Sequence, residues 1–225
     1  MSGPRFTGFG PGLVEFYAGL EADNSREYWL AHKDTYDSDV RTPLELLAGE
    51  LTAEFGEPKV FRPHRDLRFS RDKRPYKAQA SLVVDDGVGA AAALYAQVSA
   101  TGLRVAGGWW QPSREQLAAF RQTVDDGEPG DGLDRLLADL DSAGVELTHG
   151  SVLKTAPRGW PKDHPRIELL RLTGLTVGAA HPPGRWLHTR ECLDRLVAHW
   201  RTVQRWNAWL AALPGPAEQI GPGRR

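Results

Sequence analysis

Apolar and polar positions alternate along this chain with two different periods. From Gly12 to Ala22, Leu13, Phe16, Tyr17 and Leu20 recur at helical spacing. Asp23-Asn24 breaks that helix, and Asn24 followed by Glu27 predicts a capping box for a second helix bearing Tyr28, Trp29, Tyr36 and Val40. Thr42-Pro43-Leu44-Glu45 is a stronger start signal, with Thr as cap and Pro at the first helical position. The helix it opens carries Leu44, Leu47, Leu51 and Phe55 on one stripe and stops at Gly56. The period then shortens to two. Ser81 to Asp85 reads as a strand, and Leu94, Ala96, Val98 and then Leu103, Val105, Gly107 alternate as an antiparallel hairpin turning at Thr101-Gly102 and ended by Gly107-Gly108. Ser113 with Gln116 caps a helix bearing Leu117, Phe120 and Val124, and another helix carries Leu133, Leu136, Leu137 and Leu140 up to Gly144. Strands are expected at Val145–His149 and Leu172–Val177, and Thr189 opens a long last helix bearing Leu193, Leu196, Val197, Trp200, Val203 and Leu210. Helices, a hairpin-rich middle and helices again predict an α+β fold: an antiparallel sheet packed against helices, with N-terminal helices and a long C-terminal helix.

Composition adds bounds. The 225 residues are 40% hydrophobic and 25% charged, ordinary globular values, and suit one α+β domain over residues 1–213 with a Pro- and Gly-rich tail, 214–225, expected to be disordered. A single cysteine, Cys192, excludes an intrachain disulfide and lies on an amphipathic helix as ordinary packing. Met1 to Gly12 lacks the features of a secretory signal, and no apolar run approaches the ~18 residues that span a bilayer, so a soluble, cytoplasmic protein without membrane contact is expected. Gly8-Phe9-Gly10-Pro11-Gly12 follows no strand and is not a dinucleotide fingerprint; phosphate-loop, zinc-protease and nucleophile-elbow motifs are absent.

Charge changes the picture most. Phe61 to Lys77 holds seven Arg or Lys against two Asp, whereas the whole protein sums to −1, so the rest of the chain is net acidic, near −6. Arginine forks suit phosphate and carboxylate oxygens, and the prolines and aromatic rings of the run argue for an ordered anion-binding loop. Arg65, Arg68, Lys73, Arg74 and Lys77 are the candidate anion ligands, with Ser70 or Tyr76 donating a hydroxyl hydrogen bond. Asp66 would orient the arginines or, if desolvated, act as a base. The bland reading is a set of surface ion pairs, each worth about 0–1 kcal/mol.

Asn24-Ser25-Arg26-Glu27-Tyr28-Trp29, the run Arg65-Asp66-Leu67-Arg68-Phe69-Ser70-Arg71-Asp72-Lys73-Arg74-Pro75-Tyr76-Lys77, the Gly107-Gly108-Trp109 turn and Asp163-His164-Pro165 occur in that order. Together they resemble the bacterial and fungal domain-of-unknown-function family numbered twenty-four sixty-one, over about Phe6 to Leu210. The resemblance implies a shared site but no settled activity. Ser25 departs from the family, which more often has a second asparagine there.

Outside the run, Arg26 at a helix start is a further ligand candidate, Trp109 a candidate cleft wall, and His164 the first choice for a general acid or base, with Lys154 second. His164 equally reads as a loop cap before Pro165. No pattern of metal ligands is present, and the sequence names no cofactor and no oligomeric state. The preferred reading is a cytoplasmic protein that binds a small phosphate- or carboxylate-bearing ligand through an Arg/Lys-rich pocket. Whether it also transforms that ligand is left open. The alternatives are a nucleic-acid or acidic-partner module without catalysis, and a scaffold held by buried ion pairs.

Overall fold

The computed structural model describes residues 3–68, 72–85, 92–126, 128–148 and 152–213, without the side chains of 128–131. The expected tail, 214–225, lies outside the described residues. The elements in chain order are α1 (Leu13–Ala22), α2 (Arg26–Ala31), α3 (Lys33–Thr35), a π-helical segment (Tyr36–Arg41), α4 (Thr42–Phe55), β1 (Lys59–Val60), β2 (Gln79–Val84), β3 (Ala93–Ser99) and β4 (Gly102–Trp109). There follow α5 (Arg114–Asp125), α6 (Glu128–Ser142), β5 (Glu146–Thr148), α7 (Ile167–Leu170), β6 (Leu175–His181), a 3-10 turn (Arg185–His188) and α8 (Glu191–Ala211). The strands pair in the order β1-β2-β3-β4-β6-β5 as an antiparallel sheet, so the fold is α+β as the periodicity predicts.

Two compact units divide the chain. The first comprises Met1–Val84, Tyr95–Val105 and Ala180–Ala198; the second comprises Asp85–Leu94, Ala106–Ala179 and His199–Arg225. In the first, α1, the π-helical segment and α4 bury Leu13, Phe16, Tyr17, Val40, Leu47 and Leu51. Leu44 and Leu47 of α4, Leu196 of α8 and Phe9 close on Ala96, Val98 and Leu103 and leave no room for a water molecule. The glycines before α1 serve close packing. Gly10 N–H donates to Asp39 O and Gly12 N–H to the Asp39 carboxylate, and a Cβ at Gly10 would collide with that side chain.

In the second unit, Trp200, Val203, Trp206 and Leu210 of α8 are at most 1% exposed, with Phe120, Leu133, Leu140, Leu175 and Val177. Trp206 stacks on Trp209 with ring centroids 5.4 Å apart, and its Nε1–H donates to Leu175 O at 3.0 Å.

Local signals succeed where one element decides them. Ser113 and Gln116 form the expected capping box of α5. Thr42-Pro43 opens α4 as expected, but Thr42 is not a free cap. The preceding Arg41 is already helical (φ −68°, ψ −54°), so the motif marks the passage from π- to α-helix. The hairpin strand continues through Gly107-Gly108 to Trp109, and β6 runs later than expected, to His181. Gly108 is indispensable there, since its φ of +113° is left-handed and a Cβ would strike the Leu175 carbonyl. Gly108→Ala is therefore expected to destabilise the protein by about 2 kcal/mol or more, read as a lowered urea midpoint. A midpoint unchanged from wild type would contradict the close approach.

Candidate anion-binding site

The basic run is the connection of a β-hairpin. β1 and β2 pair antiparallel, with Val60 opposite Leu82, and residues 61–78 lie between them. Connections longer than about 12–15 residues are uncommon within compact domains and are usually either functional or unordered linkers. This one is pinched at a neck. His64 and Tyr76 form an antiparallel bridge, in which Arg65 N–H donates to Pro75 O at 2.9 Å and Lys77 N–H to Pro63 O at 2.8 Å.

Tyr76 is the anchor of that neck. Its backbone N–H donates to Asn24 Oδ1 at 2.9 Å, and its carbonyl accepts from Asn24 Nδ2 at 3.2 Å and from Arg65 Nε at 2.9 Å. Asn24 Nδ2 also reaches Leu20 O at the end of α1, tying the loop to the helices. The Tyr76 ring is 6% exposed and stacks on Trp29 at 4.4 Å and 6°, while the exposed His64 ring tilts onto Tyr76 at 5.1 Å. Tyr76 thus serves the loop through its ring and backbone. Asn24 does not cap α2. Ser25 does, its hydroxyl accepting the Tyr28 N–H at 3.0 Å, and the asparagine amide is left for the loop.

Beyond the neck, two Asp-x-Arg turns repeat one geometry. Asp66 accepts from the Arg68 backbone N–H, from Nε at 3.0 Å and from Nη2 at 2.6 Å; Asp72 accepts the same three groups of Arg74, with Nη2 at 2.7 Å. An aspartate that takes the N–H two residues on is a common turn device, and here each turn also fastens the guanidinium. Asp72 additionally accepts from Arg65 Nη1 at 2.5 Å. Hydrogen bonds from Arg68 hold the Asp66 carboxyl below the usual carboxylate range, and those from Arg74, helped by Arg65, do so more strongly at Asp72. Asp66 is therefore solvated, ionised and in the orienting role.

The remaining cations stand differently. Lys77 Nζ lies 4.9 Å over the Phe61 ring. Its pKa is lowered, first by burial and then by the positive charges of Arg62 and Arg65. Arg62, which the sequence reading did not single out, thus acts on Lys77 together with Arg65, itself paired with Asp72. Lys73 is exposed, with Nζ 3.3 Å from Leu67 O. Among the described residues, Arg62, Lys73 and Lys77 have no acidic partner. Arg26 is exposed at the first position of α2. Ser70 lies outside the described residues.

Trp109, Lys154 and His164 belong to the other unit. Lys154 is exposed and Trp109 half-buried. His164 Nδ1 faces the Arg166 N–H at 3.0 Å, a group that only donates, so the ring proton sits on Nε2 and is given to Asp125 Oδ1 at 3.0 Å. Both ring nitrogens are engaged. Together with Arg166, which donates to Val124 O and to Asp134, they clasp the Asp163-His164-Pro165 loop to α5 and α6. Among the described residues no three His, Cys, Asp or Glu side chains gather as a metal site.

Residues 12–209 match the model of a conserved hypothetical protein family, DUF2461. The chain belongs to that family. No curated protein matches it.

Two outcomes test this geometry. Asn24→Ala removes both amide bonds to Tyr76, so faster hydrogen exchange is expected at the Arg65, Tyr76 and Lys77 amides, with α5 unaffected; unchanged exchange at the neck would contradict the clamp. The second concerns acid. Folded Asp66 and Asp72 titrate below the unfolded value of about 3.9. The order they give the loop is therefore complete above about pH 4 and is lost as pH falls through the lowered folded values. Carboxyl carbon shifts followed by NMR should have midpoints below about 3.9, that of Asp72 lower than that of Asp66; midpoints near about 4 would disprove the pairing.

Proposed function

We propose that this cytoplasmic protein binds a small phosphate- or carboxylate-bearing molecule at the neck of the β1–β2 loop, through Arg62, Arg65 and Lys77, with Lys73 nearby on the loop. The support is the half-buried Lys77 held over Phe61, whose pKa is lowered first by burial and then by Arg62 and Arg65, with only Arg65 of the three joined to an acid among the described residues. An anion would relieve the repulsion that Arg62 and Arg65 exert on Lys77, so the arrangement favours one. Arg68 and Arg74 are spoken for by Asp66 and Asp72 and support the loop more than they engage ligand.

Binding is the part of the expectation that this geometry favours. Asp66 is solvated and acid-shifted, and both ring nitrogens of His164 are occupied, so neither is poised to move a proton. The second reading, contact with a nucleic acid or an acidic protein, draws on the Arg68 side chain, 78% exposed, and that of Arg74, 52% exposed. Such a contact would weaken steeply with salt as counterions return to the polyanion.

Thermal shift separates these readings. At constant ionic strength, inorganic phosphate should raise the Tm of the wild type more than chloride, with about 2.7 kcal/mol of stabilisation at 100 times its Kd. Arg62→Ala/Lys77→Ala should abolish that rise without lowering the Tm in chloride, since a repulsion has been removed. A loss of Tm equal in both salts would instead mark the cations as structural. Single-stranded DNA raising the Tm when phosphate does not would favour the second reading.

A further inference from the structure

The β1–β2 register shows where the cation neck leads. Phe61 N–H donates to Ser81 O at 2.9 Å, which continues the pairing of Val60 with Leu82 by one step. Phe61 and Ser81 are therefore directly opposed and share a face, the one opposite Leu82, because side chains alternate along a strand. Leu82 is fully buried, with Ala80 and Val84 beside it buried at 5% and 8% exposure, and they mark the core face. Gln79, half-buried, and Ser81, itself only 3% exposed, are on the other. On β3 the same alternation buries Ala96 and Val98 and leaves Tyr95 and Gln97 half-buried on the far side. Lys77 over the Phe61 ring thus stands at the rim of a face that carries Gln79, Ser81, Tyr95 and Gln97.

This row is polar and connected. Gln79 Nε2 donates to Tyr95 Oη at 3.5 Å, and Tyr95 Oη donates to Gln97 Oε1 at 2.8 Å. The first bond is at the outer limit of a hydrogen bond, so it is readily exchanged for a better partner. The chain has a direction, and it leaves a carbonyl acceptor on Gln79 and an NH2 donor on Gln97, each without a partner among the described residues. Acceptors and donors on either side of an aromatic ring are what a neutral, hydroxyl-bearing ligand needs. Hydroxyls both donate and accept, and the C–H faces of a sugar pack on a ring. A free inorganic anion would use none of it.

We propose that the ligand of this protein is a phosphorylated sugar or polyol, whose phosphate meets Arg62, Arg65 and Lys77 and whose hydroxyls lie along the Gln79–Tyr95–Gln97 row. This rests on the anion-binding reading of the neck. The row supplies selectivity and the cations supply charge.

Calorimetric titration of inorganic phosphate, glucose 6-phosphate and glucose into the full chain tests both layers. Glucose 6-phosphate should bind at least about tenfold tighter than phosphate, about 1.4 kcal/mol, and glucose more weakly than either. Gln97→Leu and Tyr95→Phe should each shrink that advantage while leaving phosphate affinity unchanged, and Lys77→Ala should weaken both anions. Equal affinities for phosphate and glucose 6-phosphate in the wild type overturn the sheet-face proposal alone. Failure of both to bind overturns it together with the anion reading. Should the row variants not fold, saturation transfer from the Tyr95 ring to the sugar protons of glucose 6-phosphate in the wild type supports the placement, and its absence contradicts it.

Discussion

An amide and a guanidinium converge on the backbone of Tyr76. Asn24 satisfies both its N–H and its carbonyl, Arg65 Nε shares the carbonyl, and Trp29 stacks beneath the ring. A long connection between two strands of two and six residues has little of its own to order it. Fixing a residue's backbone costs about 1–2 kcal/mol, and the described residues of 61–78 gain few backbone pairs beyond the His64–Tyr76 bridge. The Asn24 clamp and the buried Tyr76 ring offset that cost at one point, from which the two Asp-x-Arg turns extend.

Charge follows from the same pinch. With the neck closed, Arg65 reaches Asp72, and each aspartate of the tip holds the arginine two residues after it. Asp66 and Asp72 pair with Arg68 and Arg74 in the two turns, whereas at the base Lys77 is acted on by its own burial and by Arg62 and Arg65. A loop that paired every cation would be a structural clasp. One that paired none would be too poorly ordered to present a defined site. The division between cations paired in the turns and cations left, among the described residues, without an acid at the base is what supports the proposed ligand binding.

The sequence announces the fold class plainly, because helical and alternating periods are each set within one element. α5 with its capping box, the β3–β4 hairpin and the apolar stripe of α8 were all legible on those terms. The candidate site was legible in place but not in its parts. Asn24 sits before a helix, where an ordinary cap explains it, and its true partner is 52 residues away. Asp66 and Asp72 carried a readable signal, since each precedes an arginine by two, the spacing of a turn that fixes both residues. Arg62 is one basic residue among seven, and only the hairpin register puts it near Lys77. His164 looked reactive because imidazole titrates near neutrality, yet a backbone N–H and Asp125 occupy both its nitrogens, which no local pattern declares.

The central claim is that repulsion at the neck awaits an anion, and the titration of Lys77 reads it directly. The side chain of Lys77, followed by NMR at its ε-carbon, should deprotonate below the ordinary lysine value of about 10.4 in phosphate-free buffer, and its pKa should rise when phosphate is added at constant ionic strength. An ordinary pKa that phosphate does not move would mean that Arg62 and Arg65 exert no pressure on Lys77, and the account would fail.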